Sequence, residues 1–307
     1  MDFQRHRFTV NKRNLLLTGS KGQLGSTFVL LFKSSSLTQR FNLQKVDIND
    51  FNFMDQRATL SALSSYSPSI ILNCGAYTAV DEAEDNPELA EKINGESVGL
   101  ISNWCAENSC RLIHISTDFV FDGSKTTPYL PHDKTNPMGV YGQTKLTGER
   151  HILNRLPDNG VVIRTSWLYS EFGKNFVRTM LNLMGKGVEI SVVDDQIGSP
   201  TSTYSMSTVL MRLIEREDVS GIFHWCDGGS ISWHNFAEHI KRSALNQGIF
   251  QREPSLRPIP TSEYPTKAQR PKYSVLDRSA IIGQLNIDKT EWKFELDKVI
   301  SKIANVD

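Results

Sequence analysis

Residues 14–25 read NLLLTGSKGQLG, and this stretch decides the fold. Asn14 to Thr18 is a short apolar run of the kind that forms a buried strand. Gly19, Gly22 and Gly25 follow in a GxxGxxG spacing, and Leu24, Phe28 and Leu31 then recur at helical intervals. A strand that enters a glycine turn and leaves it as a helix is a phosphate cradle. Glycines let the backbone turn tightly and approach a pyrophosphate, and the helix N-terminus offers free N–H groups and positive partial charge. Gly19, Gly22, Gln23, Leu24 and Gly25 are therefore candidate cofactor contacts, with a plain tight turn as the competing reading. Asp47 lies about 20 residues beyond the turn, where a carboxylate accepts from an adenosine 2′-hydroxyl and repels a 2′-phosphate. A solvated loop aspartate competes there, and Lys45 nearby blurs NAD against NADP.

Further apolar runs repeat the pattern. Ser69 to Asn73 (SIILN), Arg111 to Ser116 (RLIHIS) and Gly160 to Thr165 (GVVIRT) read as buried strands, with a helical segment from about Pro87 to Glu107 between two of them. Short apolar strands separated by helices predict an α/β fold, a doubly wound parallel sheet covered on both faces. Such sheets bind ligands at the carboxyl ends of their strands. The second half is more mixed. A helix falls within residues 200–215, Gly221 to Cys226 (GIFHWC) reads as a strand, and Trp233 to Leu245 as an amphipathic helix. Pro254, Pro258, Pro260, Pro265 and Pro271 mark a wrapping loop. The expected organisation is a tail over residues 1–13 and a cofactor domain over 14–165. A helix at about 201–216 packs back on that domain. A smaller, interleaved C-terminal α/β substrate domain takes 166–200 and 217–307.

Bulk composition narrows the classes. Hydrophobic content of 39% and charged content of 22% in 307 residues fit an ordinary soluble globular protein. Lys plus Arg and Asp plus Glu both number 34, which gives no global electrostatic reason to expect nucleic acid. Cys74, Cys105, Cys110 and Cys226 form no CxxC pair and no disulfide-framework spacing, so reduced thiols and a cytoplasmic setting are expected. No apolar run reaches the ~18 residues of a membrane span. The first residues carry Arg5, Arg7, Lys12 and Arg13 without the apolar core of a secretory signal.

The residues at the strand ends carry chemistry. Asn73-Cys74-Gly75-Ala76-Tyr77-Thr78 closes the SIILN strand with small residues, and Gly75, Ala76 and Thr78 are candidate cofactor contacts; tight strand–helix packing explains them equally. Ser116-Thr117-Asp118 closes the next strand. A threonine there donates to a carbonyl oxygen that gains negative charge. Tyr141 and Lys145 follow 24 and 28 residues after Thr117. Their i, i+4 spacing sets both on one helical face. An ammonium beside a phenol favours the phenolate and lowers a pKa that is ordinarily ~10. Thr117, Tyr141 and Lys145 are the candidate catalytic residues.

Taken together, the segments LLLTGSKGQLG, NCGAYTAVDEAE, HISTDFVFDG, VYGQTKLTGE, IRTSWLYS, NFVRTM, DDQIGSPT, GSISWHNFA and SEYPTKAQRPKYSVLD closely resemble the dTDP-4-dehydrorhamnose reductase family of the extended short-chain dehydrogenase/reductases. They run in family order from residue 15 to 277. The resemblance implies a Rossmann-type fold, NADPH or NADH as cofactor, and a place in dTDP-rhamnose biosynthesis. The reaction implied is hydride addition to the C4 ketone of a nucleotide-linked 4-keto-6-deoxyhexose, carried by dTDP or UDP. By the resemblance Tyr141 delivers the proton, Lys145 binds the nicotinamide ribose and depresses the Tyr141 pKa, and Thr117 holds the carbonyl oxygen. Asn94 extends a proton relay through water, or simply packs. Asp118, Phe119, Trp167, Asn175, Gln196, Thr201 and Arg270 match family positions near the substrate. Trp167 would lie along the sugar face, with core packing as the alternative, and Arg270 would pair with the diphosphate, a surface ion pair being the alternative.

Two departures bear on this. Phe119 stands where many members have Tyr. Thr27 stands where some members carry a magnesium-binding carboxylate at a dimer interface, so a homodimer is expected without a metal bridge. No metal site is expected elsewhere: His234 and His239 are five apart, the wrong spacing for a helical ligand pair. A nucleotide-sugar 4,6-dehydratase is disfavoured because Phe119 cannot transfer a proton. A 4-epimerase shares the Tyr and Lys but not RTSW and DQIGSPT. The alternative from another class is a non-catalytic NADP-binding subunit resembling the beta subunit of methionine adenosyltransferase. An intact Thr117, Tyr141 and Lys145 weighs against it.

Overall fold

A computed structural model describes residues 11–305, so most of the tail read over residues 1–13, with Arg5 and Arg7, lies outside the described residues. Six parallel strands build the central sheet: β1 (Arg13–Thr18), β2 (Phe41–Lys45), β3 (Ile70–Asn73), β4 (Arg111–Thr117), β5 (Gly160–Thr165) and β6 (Gly221–His224). Their order is β6-β5-β4-β3-β1-β2. The chain leaves β1 toward β2 on one side and returns to β3 on the other, which opens a crevice at the carboxyl ends of β1 and β3.

Strand alternation sorts the apolar residues into two cores. Leu15, Leu17, Ile70, Leu72, Ile113, Val161 and Ile163 face the helices Gln23–Phe32 and Thr203–Glu215. Leu16, Ile71, Leu112 and Val162 face the other way, toward Val98 and Ile101 of the helix Ser97–Glu107 and Ile152 of the helix Val140–Arg155. With both faces covered, each strand reads as one continuous apolar run. Complete burial of each such side chain contributes about 1.5–3 kcal/mol, so the sheet is a rigid platform for whatever sits at its rim.

A second core lies in the C-terminal half. Val177 and Met180 of Phe176–Met184, Phe236 and Ile240 of Trp233–Asn246, and Leu296 and Val299 of Trp292–Ala304 pack together, beside a parallel pair formed by Ile190–Val193 and Leu256–Ile259. The chain also re-enters the sheet layer inside the segment 217–307 that the sequence reading gave to the second domain. Gly221–His224 pairs with β5, and Ile281 and Leu285 of Ser279–Leu285 join the sheet core. The physical reason is the β5 edge, which would otherwise present unpaired backbone groups. Among the described residues no helix is long and apolar enough to cross a membrane.

Gly25 begins the helix against the turn that precedes it. A Cβ there would lie 2.2 Å from the Gly19 carbonyl oxygen and 2.7 Å from Ser20 Cα. Gly25→Ala is therefore expected to lose about 1–3 kcal/mol. Gly283→Ala, in a helix where a Cβ meets nothing within 4 Å, should be neutral or gain about 0.5–1 kcal/mol. Urea unfolding midpoints at unchanged slope measure both.

Candidate active site

The glycine turn closes directly on the end of β3. Gly19 has φ +63°, and a Cβ on it would meet the Gly75 nitrogen at 2.8 Å and Cys74 at 2.9 Å. Only glycine permits that approach. Gly22 is the N-cap of Gln23–Phe32, and no side chain bonds to the first amides of this helix, which leaves them for an anion. Asp47, past the end of β2, accepts from the Lys21 amide at 2.8 Å and the Ile48 amide at 2.9 Å, so its carboxylate braces the turn. Gln23 reaches across to the second half of the chain. Its Oε1 accepts from Asn175 Nδ2 at 2.9 Å, and its Nε2 donates to the Lys174 carbonyl at 3.2 Å. Gln23 and Asn175, read from sequence as contacts of different ligands, thus bond to each other. Asn175 also caps Phe176–Met184 through the Arg178 amide.

Two polar rows cross the sheet face under the helix Val140–Arg155. In the first, Thr18, Asn73 and His114 stand in register on β1, β3 and β4. Thr18 Oγ1 donates to Asn73 Oδ1 at 2.6 Å, Asn73 Nδ2 lies 3.0 Å from His114 Nδ1, and Lys145 Nζ lies 3.1 Å from His114 Nε2. Lys145 Nζ also donates to the Ile115 carbonyl at 2.6 Å. In the second row, Ser116 of β4 is in register with Arg164 of β5. Arg164 donates to both oxygens of Glu149, at 2.9 and 2.6 Å, and to the Pro131 carbonyl at 3.0 Å, while the Ser116 hydroxyl donates to Glu149. The Glu149–Arg164 pair is fully buried. Glu149 is four residues beyond Lys145, so each row anchors one turn of the same helix.

The helix start is fixed as well. Glu84 Oε1 accepts from the Val140 amide at 2.8 Å, a carboxylate at the positive end of the helix dipole. Asn94, in a π-helical turn over Lys92–Glu96, holds both backbone groups of Tyr77 at 2.9 and 3.0 Å and donates to Thr144 at 3.2 Å. It ties the Gly75–Thr78 loop, which carries Ala76 and Thr78, to the same helix.

Electrostatics at the reacting end follow from burial. Desolvation pushes the Tyr141 phenol up to about 12, against a hydrogen bond from Thr117 that pulls it down; the nearby Asp118 charge adds to the rise. The shift is therefore upward, opposite to the lowering expected from the Lys145 spacing, and its main cause is burial. Desolvation brings the Lys145 ammonium down to about 8, opposed by the Glu149 charge. Asp118, buried, is pushed up to about 6 by desolvation, against hydrogen bonds from Ser274 and Thr117 that pull it down; its Oδ1 accepts from the Thr117 hydroxyl at 3.1 Å. Phe119 meets Tyr141 edge to face, with ring centroids 5.6 Å apart.

The remaining sequence candidates spread outward from this centre. Trp167 adopts φ +47°, a strained conformation for a bulky residue, and stacks on Trp233 with centroids 3.5 Å apart. A Cβ at Gly198 would come within 2.6 Å of its indole, so the ring is closely packed. Thr201 is buried and accepts from Thr165 at 3.3 Å, and Gln196 donates to Thr261 at 3.0 Å. Arg270 is held by Asp81 through two guanidinium nitrogens, at 3.2 and 2.7 Å, and this hydrogen bonding keeps the Asp81 carboxyl below the usual range. Lys267 pairs with Asp85, so the proline-rich loop is clamped to the helix Val80–Asp85. Thr27 is buried, its hydroxyl 2.7 Å from that of Thr203.

Sequence reasoning did not single out Asn73, His114, Glu149, Arg164 or Glu84 as working side chains. A signal was present: Asn73, His114 and Arg164 are polar residues inside otherwise apolar strands, which a parallel sheet tolerates only when they are paired. Their partners were not visible.

A doubly wound parallel sheet, a glycine turn at its crevice and a Thr–Tyr–Lys group at the rim define an extended short-chain dehydrogenase/reductase. The family described as "RmlD substrate binding domain" matches residues 13–305, and the chain belongs to it. The chain is 34% identical over 290 residues to the dTDP-4-dehydrorhamnose reductase of Aggregatibacter actinomycetemcomitans, covering 93% of this chain and 97% of that protein. It is 34% identical to the dTDP-4-keto-6-deoxy-D-glucose reductase of Streptomyces niveus, covering 86% and 88%. The crystal structure of the Bacillus anthracis dTDP-4-dehydrorhamnose reductase in complex with NADP superposes with a TM-score of 0.86 at 30% identity, covering 95% of this chain and 100% of that one.

Breaking the buried pair tests its structural weight. Arg164→Met alone should cost about 3–5 kcal/mol by stranding Glu149, and the double variant Glu149→Leu/Arg164→Met should recover most of the loss. Denaturant unfolding of the two singles and the double closes this cycle.

Proposed function

We propose that this chain reduces the C4 ketone of a nucleotide-linked 4-keto-6-deoxyhexose with NADPH or NADH, and that its substrate is dTDP-4-dehydro-L-rhamnose, giving dTDP-L-rhamnose. The observation that carries the reading is the convergence of Thr117, Tyr141 and Lys145 at the carboxyl end of β4, beside a glycine turn that only bare backbone can form. The names of the relatives support the substrate class, and the NADP complex of one of them supports the cofactor.

The cradle fits a dinucleotide: Gly19, Gly22 and Gly25 keep its backbone bare, and the helix that begins at Gln23 has no side-chain cap. Bound there, NAD(P)H supplies the hydride. The protein does the rest. Thr117 donates to the carbonyl oxygen as it gains charge. Tyr141 gives its proton to that oxygen; a phenol raised to about 12 is fully protonated at neutral pH and so is always loaded. An ammonium on Lys145 has three N–H donors, of which Ile115 O and His114 Nε2 take two, leaving one for a ribose hydroxyl. Asp118, Phe119 and Trp167 would border the sugar, with Asn175, Gln196, Thr201 and Arg270 further out. A homodimer without a bridging metal belongs to the same reading, since Thr27 carries no carboxylate and is turned into the fold.

The test is direct. Wild-type protein mixed with NADPH and a dTDP-linked 4-keto-6-deoxyhexose should consume NADPH, and NMR of the product should give the rhamno configuration; the UDP-linked sugar should be the poorer substrate. Tyr141→Phe should lose about 10²–10⁴ in kcat while binding NADPH as before. Unchanged NADPH absorbance with wild type would sink the reductase reading, and near-normal turnover by Tyr141→Phe would remove Tyr141 as the acid.

A further inference from the structure

The first polar row is a chain of groups whose proton positions are interdependent. The Gly75 amide donates to Thr18 Oγ1 at 3.2 Å, and Thr18, Asn73, His114 and Lys145 follow in sequence. The separation of 2.6 Å between Thr18 Oγ1 and Asn73 falls in the O–H···O range and below the usual N–H···O range, so the amide oxygen faces Thr18. The Asn73 amino group then points to His114 Nδ1, which must accept. A neutral imidazole that accepts at Nδ1 carries its proton on Nε2, and Nε2–H can donate to Lys145 only if Nζ is an amine. When Nζ is an ammonium, the bonds from Nζ through His114 and Asn73 to Thr18 must reverse, while the Gly75 amide still donates to Thr18. Nζ donates to Nε2, the ring proton sits on Nδ1, and the Asn73 amide turns over so that its oxygen accepts. A doubly protonated ring fits neither arrangement, and burial beside Lys145 holds the His114 pKa well below its ordinary value.

We propose that His114 is a positioning residue for Lys145: a neutral imidazole that holds Nζ in both charge states, its ring proton on Nδ1 when Lys145 is charged and on Nε2 when it is not. Between the two states the pair releases one proton to solvent while the imidazole keeps one. Asn73 is the pivot, because its amide carries a donor and an acceptor and can serve both tautomers by a half-turn. The groups facing Nζ are few. The Cys74 thiol lies beyond β3 and His114 on β4, with Glu149 on its own helix; Glu149 is already engaged by Arg164 of β5. Of these, His114 alone hydrogen-bonds Nζ through its side chain.

The tautomer can be read without turnover, by nitrogen NMR of protein labelled in its histidine rings, with the His114 signals assigned from the His114→Gln spectrum. The ring should stay neutral throughout, and its proton should move from Nδ1 to Nε2 as pH rises through about 8. Asn73→Asp, which offers only an acceptor, should keep the proton on Nδ1 to a pH higher by about one unit. A ring that becomes doubly protonated in the folded protein, or a tautomer that never changes, overturns the proposal, and the wild-type titration decides this even where Asn73→Asp does not fold. The kinetic arm rests on the reductase reading. The alkaline limb of kcat should move upward in Asn73→Asp. His114→Leu should lower kcat by about tenfold and move the limb downward, since it removes a hydrogen bond to a charged group. His114→Gln should restore part of both. Limbs that stay in place overturn the positioning role. Absence of any NADPH oxidation by wild type counts against the reductase reading alone, because the NMR titration stands without it.

Discussion

One helix, Val140–Arg155, presents three polar side chains to a buried face, and the site depends on how they are held there. Tyr141, Lys145 and Glu149 succeed one another at helical spacing. Glu149 is locked into a bidentate ion pair with Arg164, and the Ser116 hydroxyl joins it. An ion pair with almost no exposure stabilises little relative to a well-packed apolar pair, yet it tolerates no slippage: any shift in helix register would leave two charges buried and unpaired. That intolerance sets Lys145 over the Thr18–Asn73–His114 row and Tyr141 beside Thr117. Glu84 fixes the same helix from its N-terminus, and Asn94 from the loop after β3. The geometry of the candidate site is thus inherited from a sheet whose own position is set by apolar burial on both faces.

The cofactor cradle and the second half of the chain are joined by equally specific contacts. Gln23, one residue past the glycine N-cap, bonds to Asn175 and Lys174, and Asp81 holds Arg270 and the Ala268 amide. These contacts frame the crevice between the two cores. They give Gln23, Asn175 and Arg270 protein partners at positions where the glycine turn, for Gln23, and the resemblance, for the other two, implied ligand contacts. A ligand that engages them must therefore compete with, or add to, bonds already made.

The fold was largely legible from residues 14–25 and from three further apolar runs, because strands buried on both faces must be apolar throughout. Thr117, Tyr141 and Lys145 stood out because their chemistry is unusual at strand-end and helical spacing. His114, Glu149 and Arg164 did not. Each is an ordinary polar residue in sequence, and its meaning lies in a partner 15 to 41 positions away that only the folded sheet and the helix over it bring near. The Tyr141 pKa was misjudged for a related reason. Spacing reveals the cation four residues on, but not the burial that raises the phenol.

By itself the sequence determined the parallel α/β sheet and the glycine turn and singled out the candidate reacting groups, since these rest on local propensity and on residue types with distinctive chemistry. Tertiary structure alone decided the strand order, the return of Gly221–His224 to the sheet edge and the pairing of Gln23 with Asn175. It also decided the two polar rows that carry the helix. Those are consequences of register and of desolvation, which depend on how distant segments are brought into one low-dielectric interior rather than on the order of residues along the chain.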